Sequence, residues 1–155
     1  MTGKSNIDIR EVSGCTCLRL RRTTRRVTQI YDQLMEPAKV TANQFGLLSF
    51  LYGVAAAGKA NGLPMGVLAE RIGMDATTLN RNLKRLEEQE LVASGADPED
   101  RRVRTVRITD AGTARLREAV PYWRQAQTKV EETLGLQATV SLNGLLDLFA
   151  AKLAG

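Results

Sequence analysis

The sequence predicts a mainly α-helical chain with one small β-hairpin. Three observations predict it. Apolar residues recur at intervals of three and four over most of the length, which is helical periodicity. Residues 91–94 and 103–108 are short strand-like runs separated by the turn-rich loop GADPEDRR. Capping residues and glycine or proline stops bracket the periodic segments.

Residues 1 to about 12 are mixed in character and read as a loosely held arm. Ser13 is the candidate cap of a helix running from about residue 14 to 35, stopped by Pro37. Val27, Ile30, Tyr31 and Leu34 form one stripe expected to be buried. Arg19, Arg21, Arg22, Arg25 and Arg26 crowd its first half, as a solvated face or as an aid to phosphate approach or intersubunit ion pairs. Thr41, with Gln44 three residues on, makes a capping box. The helix it opens, about 42–57, carries Phe45, Leu47, Leu48, Leu51, Tyr52 and Val54. Being apolar nearly all round, it is expected to be the buried central helix. Gly58 and Gly62 are its stop signals.

Leu63 leads into a short helix, about 64–72, with Pro64 in the first turn and Val67, Leu68 and Ile72 inward. Gly73 makes a tight turn, and Asp75 caps a helix of about 76–89. After the hairpin, Thr109 caps a long helix of about 110–134. Leu116, Val120, Trp123, Val130 and Leu134 keep the spacing of a packing seam, with Gln127 in the missing position; Pro121 should kink it. Gly135 ends it. A last helix, about 137–153, carries Val140, Leu142, Leu145, Leu146, Phe149 and Leu153.

The 155 residues fit a single domain, 1–155, and hydrophobic and charged contents of 43% and 25% are ordinary globular values. A net charge of +5 favours an anionic partner only modestly. The absence of histidine removes the commonest general base and zinc ligand. Cys15 and Cys17 are too few for a structural zinc site, and their spacing within a helix suits a disulfide poorly. No metal and no cofactor are expected. There is no CxxC and no glycine-rich phosphate loop, so an enzyme such as a thiol oxidoreductase is disfavoured. No apolar run reaches the ~18–20 residues of a membrane span, and the first residues lack the apolar core of a signal peptide. A reducing cytoplasm, with no membrane partner, is the expected setting.

The stretch from 63 to 109 carries the chemistry. At 100° per residue, Ala76, Leu79, Leu83 and Leu86 share one side of the 76–89 helix. Thr77, Thr78, Arg81, Lys84, Arg85 and Glu88 share the other, with Asn80 on the flank. Threonine, asparagine and arginine reach base edges in a major groove, and lysine holds phosphates. A plain solvated helix would show the same pattern, but the hairpin adds Arg101, Arg102, Arg104 and Arg107. Arginines on a protruding loop suit a narrow, negative minor groove. Asp97, Glu99 and Asp100 are wrong for phosphate attraction and fit better as partners that orient an arginine. The partner expected is double-stranded DNA. A non-specific architectural DNA binder would use the same charges.

Here LAERIGMDATTLNRNLKRLE followed by DPEDRRVRTVRITDAG resembles the MarR family of winged helix-turn-helix transcription regulators, over residues 41–112. Asp100, Arg102, Ile108-Thr109 and Gly112 match its wing motif. It is departed from in two places. Glu90 stands where glycine is frequent, and Ala93-Ser94 stand where an arginine is frequent. The resemblance implies a winged DNA-binding lobe at 41–109 and a helical dimerisation region formed by 13–36 and 110–155. It implies a homodimer on a near-palindromic operator, with Arg102 at the wing tip and Asp100 orienting it. It also implies a small, often aromatic, effector between lobe and dimer helices, for which Tyr31, Phe45, Leu48, Tyr52 and Trp123 are candidates, with ordinary core as the alternative. Such a regulator is more often a repressor. Some members sense hydroperoxides through a cysteine of the first helix, which Cys15 and Cys17 resemble loosely. A thiol at a helix start among arginines is the setting for that chemistry, while burial as a small apolar residue is the plain alternative.

Overall fold

The structure, a computed structural model, describes residues 8–153. Among them the chain runs α1 (Ile9–Ser13), α2 (Thr16–Met35), a 3-10 turn (Glu36–Ala38), α3 (Ala42–Ala56), β1 (Leu63–Pro64), α4 (Met65–Ile72), α5 (Ala76–Glu88), β2 (Val92–Ala96), β3 (Arg104–Ile108), α6 (Asp110–Leu134) and α7 (Leu136–Leu153). The strands form one antiparallel sheet in the order β1-β3-β2, with Leu63 opposite Val106 and Val92 opposite Ile108.

The centre is α3, as its all-round apolar character predicts. Leu47, Leu48 and Leu51 are buried against Leu68 of α4, Leu79, Leu83 and Leu86 of α5, Val106 and Ile108 of β3, and Leu116 and Ala119 of α6. Each leucine buried this fully contributes about 2 kcal/mol. The capping box opens α3: Thr41 Oγ1 accepts the Gln44 N–H at 3.3 Å, and Gln44 Oε1 accepts the Thr41 N–H at 3.0 Å. A third amide of this turn is satisfied from outside, because Asp32 Oδ1 of α2 accepts the Ala42 N–H at 2.7 Å.

The N-terminal expectations need correction. Residues 1–7 of the expected arm lie outside the described residues, and Ile9–Ser13 form a helix of their own. Ser13 does not cap α2; its hydroxyl donates to the Arg10 carbonyl at 2.9 Å. Cys15 holds the cap position with no side-chain cap bond, since sulfur is a weak acceptor. Val27, Ile30, Tyr31 and Leu34 are half-buried rather than buried, because α2 lies on the outside of the fold; full burial falls to Met35.

Leu63–Pro64 is an edge strand on β3 rather than the start of a helix, so α4 begins at Met65. Proline is tolerated there because an edge strand needs no donor on its open side. Gly62, at φ +83°, allows this approach: a Cβ on it would stand 2.0 Å from the Val106 carbonyl oxygen.

Lobe and long helix meet at one joint. Glu90 adopts the left-handed conformation at φ +58°. Thr109 Oγ1 donates to the Glu90 carbonyl at 2.7 Å and accepts the Gly112 N–H at 2.9 Å. The Thr109 N–H reaches the Leu91 carbonyl at 3.2 Å. A Cβ on Gly112 would lie 2.0 Å from that same Leu91 oxygen. From this joint α6 runs through Pro121 as one continuous helix, and α7 leaves it at 105°. Along the expected seam, Leu116 is buried, Val120, Trp123, Gln127 and Val130 are half-buried, and Leu134 is exposed. Val140, Leu145, Leu146, Phe149 and Leu153 of α7 are exposed in the single chain, as are Ile9, Val12, Leu18 and Leu20 at the other end. Among the described residues no single helix is long and apolar enough to cross a membrane.

Two substitutions test the joint in urea unfolding. Glu90→Gly relieves the left-handed strain and is expected to raise stability by about 0.5–1 kcal/mol. Gly112→Ala is expected to lower it by at least ~2 kcal/mol through a backbone collision. Equal midpoints for the three proteins would contradict this account.

Candidate nucleic-acid interface

Helix α5 is set by its cap. Asp75 accepts the Thr78 N–H at 2.9 Å and the Thr78 hydroxyl at 2.7 Å. Gly73, left-handed at φ +68°, turns the chain from α4 toward it. Leu79, Leu83 and Leu86 face the core, whereas Ala76, expected inward, is exposed at the first turn. Thr77, Asn80, Arg81, Lys84, Arg85 and Glu88 are exposed. Thr78 departs from the predicted outward set: it is half-buried, and its hydroxyl is committed to Asp75. Asn82 is buried and donates from Nδ2 to the Thr78 carbonyl at 2.9 Å. Both departures come from hydrogen bonding local to the helix start, which periodicity does not register.

The loop between β2 and β3 is built by its acids. Asp97 Oδ1 accepts the N–H groups of Glu99 and Asp100 at 2.8 and 3.2 Å, forming an Asx-type turn. The Asp97 N–H to Val103 carbonyl bond, at 2.8 Å, closes it. Asp100 Oδ1 accepts the Arg102 backbone N–H at 3.0 Å and its Nε at 3.3 Å. The Arg102 side chain is 93% exposed, and among the described residues its terminal guanidinium nitrogens have no protein partner. It is a charged fork, oriented from behind and open in front. Arg101 is exposed beside it. Arg104 is different, because its Nη2 donates to Glu87 of α5 at 3.2 Å. Asn80, Lys84 and Arg104 line one groove, so the outer face of α5 and the base of the hairpin form a continuous surface.

A cavity of about 640 Å³ lies between α2, α3 and α6. Tyr31, Phe45 and Trp123 of the predicted ligand set line it. Leu48 does not, being wholly buried in the lobe core, and Tyr52 does not, standing exposed one turn beyond the cavity wall. Val27, Thr28, Met35, Gly46, Ser49, Val120 and Arg124 line it in addition. Their positions, three or four residues from Tyr31, Phe45 and Trp123 or beside them, were the sequence signal for them. The Phe45 and Trp123 rings stack with centroids 5.9 Å apart and planes within 11°. The Tyr31 hydroxyl donates to Gln127 Oε1, and Gln127 Nε2 donates to Glu131 Oε1 at 2.7 Å. Burial raises the Tyr31 hydroxyl pKa above its ordinary value, and the Glu131 charge adds to this. Cys15 is half-buried and Cys17 exposed, both as free thiols. The described residues hold no cluster of three or more His, Cys, Asp or Glu placed to bind a metal ion.

The MarR family model matches residues 38–103. The uncharacterized HTH-type transcriptional regulator YdgJ of Bacillus subtilis is 30% identical over 77 residues, which is 50% of this chain. That match spans only 43% of the relative's length. Among solved structures, the M. tuberculosis transcriptional regulator MosR in complex with DNA is 32% identical, with 88% of this chain and 97% of that one covered at a TM-score of 0.71. BpsR of Bordetella bronchiseptica, whose DNA binding is regulated by 6-hydroxynicotinic acid, is 27% identical, with 89% and 94% covered at a TM-score of 0.75.

The cap of α5 gives a pH-dependent signature. Hydrogen bonds from the Thr78 hydroxyl and then its backbone N–H hold the Asp75 carboxyl below its ordinary pKa. Its stabilising effect is therefore present above the unfolded value and lost as pH falls through the lowered one. A carbon-detected NMR titration should give a midpoint below the ~3.9 of a free aspartate, moving upward in Thr78→Val. An unmoved midpoint in that variant would remove the hydroxyl from the cap.

Proposed function

The chain belongs to the MarR family of winged helix-turn-helix transcription regulators, and on that premise we propose a homodimeric, sequence-specific repressor released from a near-palindromic operator by a small aromatic ligand. One observation carries the DNA-reading part. The open guanidinium of Arg102, held by Asp100, stands on a hairpin whose base is continuous with the exposed α5 face of Asn80, Arg81, Lys84 and Arg85. In this reading the helix enters a major groove and the hairpin tip the neighbouring minor groove. MosR, solved with DNA, supports it by similarity.

The dimer is supported by the exposed apolar side chains of α1, α2 and α7, which a single chain leaves in water. Burying them across a two-fold axis would set two recognition helices about 34 Å apart, one DNA turn. Such a regulator works in the cytoplasm, where the chromosome is.

For the effector, the cavity offers an indole and a phenyl wall, a guanidinium at Arg124, and the Tyr31 hydroxyl with Gln127. That combination suits a planar aromatic acid, its ring against Trp123 and its carboxylate toward Arg124. Binding there would bias the spacing of the two lobes.

A second reading, thiol-based redox sensing, is favoured by one observation. Cys15 stands at the cap of α2 with non-helical backbone, φ −58° and ψ 117°, so only Cys17 of the two lies within the helix. A hydroperoxide would take two electrons and two protons from the thiols, leaving a disulfide, an alcohol and water.

Selection of duplexes from a random pool is the primary test, and an enriched near-palindrome is expected; easy displacement of it by random DNA would indicate an architectural binder instead. On the recovered duplex, Arg102→Ala should weaken binding at least about tenfold. Arg81→Ala should alter base preference more than Lys84→Ala, which should act uniformly and flatten the salt dependence.

The two signals separate in a release assay. Aromatic acids should release the duplex from the unmodified protein and not from Trp123→Ala. Release by peroxide, abolished in Cys17→Ser and unaffected in Trp123→Ala, would establish the thiol reading in its place.

A further inference from the structure

Strands β2 and β3 pair with Ser94 opposite Val106 and Ala96 opposite Arg104. Alternation along each strand therefore puts Ser94 and Arg104 on one face of the sheet, as a diagonal pair, together with the fully buried Val106. That face lies over α5. The Ser94 hydroxyl donates to Glu87 Oε1, and Arg104 Nη2 donates to the same oxygen at 3.2 Å. One carboxylate oxygen on the recognition helix thus holds both strands at the base of the wing.

The two wing arginines are bound in opposite senses. Asp100 takes Arg102 through Nε, which leaves the terminal nitrogens outward, and the side chain is 93% exposed. Glu87 takes Arg104 through one terminal nitrogen, Nη2, with the Arg104 side chain 62% and the Glu87 side chain 30% exposed. The Arg104 charge is offset by Glu87 where it stands. A duplex that drew Arg104 away would leave the half-buried Glu87 carboxylate facing its own phosphates.

We propose that Glu87 and Arg104 are positioning residues: their ion pair, with Ser94, fixes the tilt of the wing on the recognition helix, and Arg104 is not a phosphate anchor. The groove they close is also lined by Asn80 and Lys84. The tilt therefore sets the distance between the α5 face and the Arg102 tip, and so the spacing of the two DNA grooves that the lobe accepts. This rests on the DNA-binding reading above.

The probe is the duplex recovered with the unmodified protein, measured by fluorescence anisotropy over a range of KCl concentrations. Arg104→Gln and Glu87→Gln are each expected to weaken binding about fivefold, the double variant no more than either single one. The slope of affinity against salt should stay unchanged. Ser94→Arg placed in Arg104→Gln should restore binding, because position 94 already reaches Glu87. Amide hydrogen exchange in β2 and β3 of the free protein should quicken in both single variants. A salt slope shallower by about one in Arg104→Gln, with binding unchanged or tighter in Glu87→Gln, would make Arg104 a phosphate contact and overturn the proposal. If no duplex is recovered, it is the DNA-binding reading that fails. The exchange measurement then still decides the pair, and unaltered exchange in both variants overturns it.

Discussion

The fold depends on one carbonyl oxygen. Leu91 O accepts the Thr109 amide and stands where any side chain on Gly112 would have to go. Leu91 follows the left-handed Glu90, which turns the chain out of the recognition helix. Thr109 ends the sheet and begins α6. Three elements therefore share a contact with no room for a methyl group. The wing, the recognition helix and the long helix meet in a fixed geometry because backbone meets backbone there, with the Thr109 hydroxyl bridging Glu90 and Gly112.

Around that joint, acidic residues arrange the basic ones. Asp97 folds the hairpin loop through its own neighbours' amides, Asp100 aims Arg102, and Glu87 receives Arg104. With a net charge of only +5, the chain does not rely on a broad positive field. Placement of a few guanidinium groups, each fixed by a short-range partner, gives directionality that a field cannot. Asp75 works in the same way on a smaller scale, anchoring the first turn of α5 through Thr78.

Most of the lobe was legible because its signals are local. The Thr41–Gln44 box, the Asp75 and Thr109 caps, and the glycine turns each involve residues at most a few positions apart. The Asp100–Arg102 pair followed from the resemblance of the wing motif, since the residues alone pointed to Asp97, Glu99 and Asp100 alike as orienting partners. What escaped depends on distant partners. Pro64 joins a sheet only because Val106 and Thr105 lie beside it. Asp32 caps a helix ten residues away, and Arg104 of β3 finds Glu87 on α5. The cavity was half legible. Tyr31, Phe45 and Trp123 follow from aromatic character on facing helices, but Tyr52, equally aromatic, and the aliphatic Leu48 fall elsewhere. Rotation and height along α3 decide between them, and both are fixed by packing against α2 and α6. The break at Cys15 escaped because Ser13 offers a better cap chemistry than cysteine, yet is occupied in closing the short helix before it.

Helix α6 is a rigid arm with its load at one end. Its first residue adjoins the wing joint, and Trp123 on the cavity wall lies thirteen residues along, at a distance of roughly 20 Å by helical rise. Pivoted at the cavity, a tilt of about 5° carries the wing end some 1.7 Å, roughly one residue's rise. In the proposed effector reading, leverage rather than contact would link the aromatic wall to the hairpin tip.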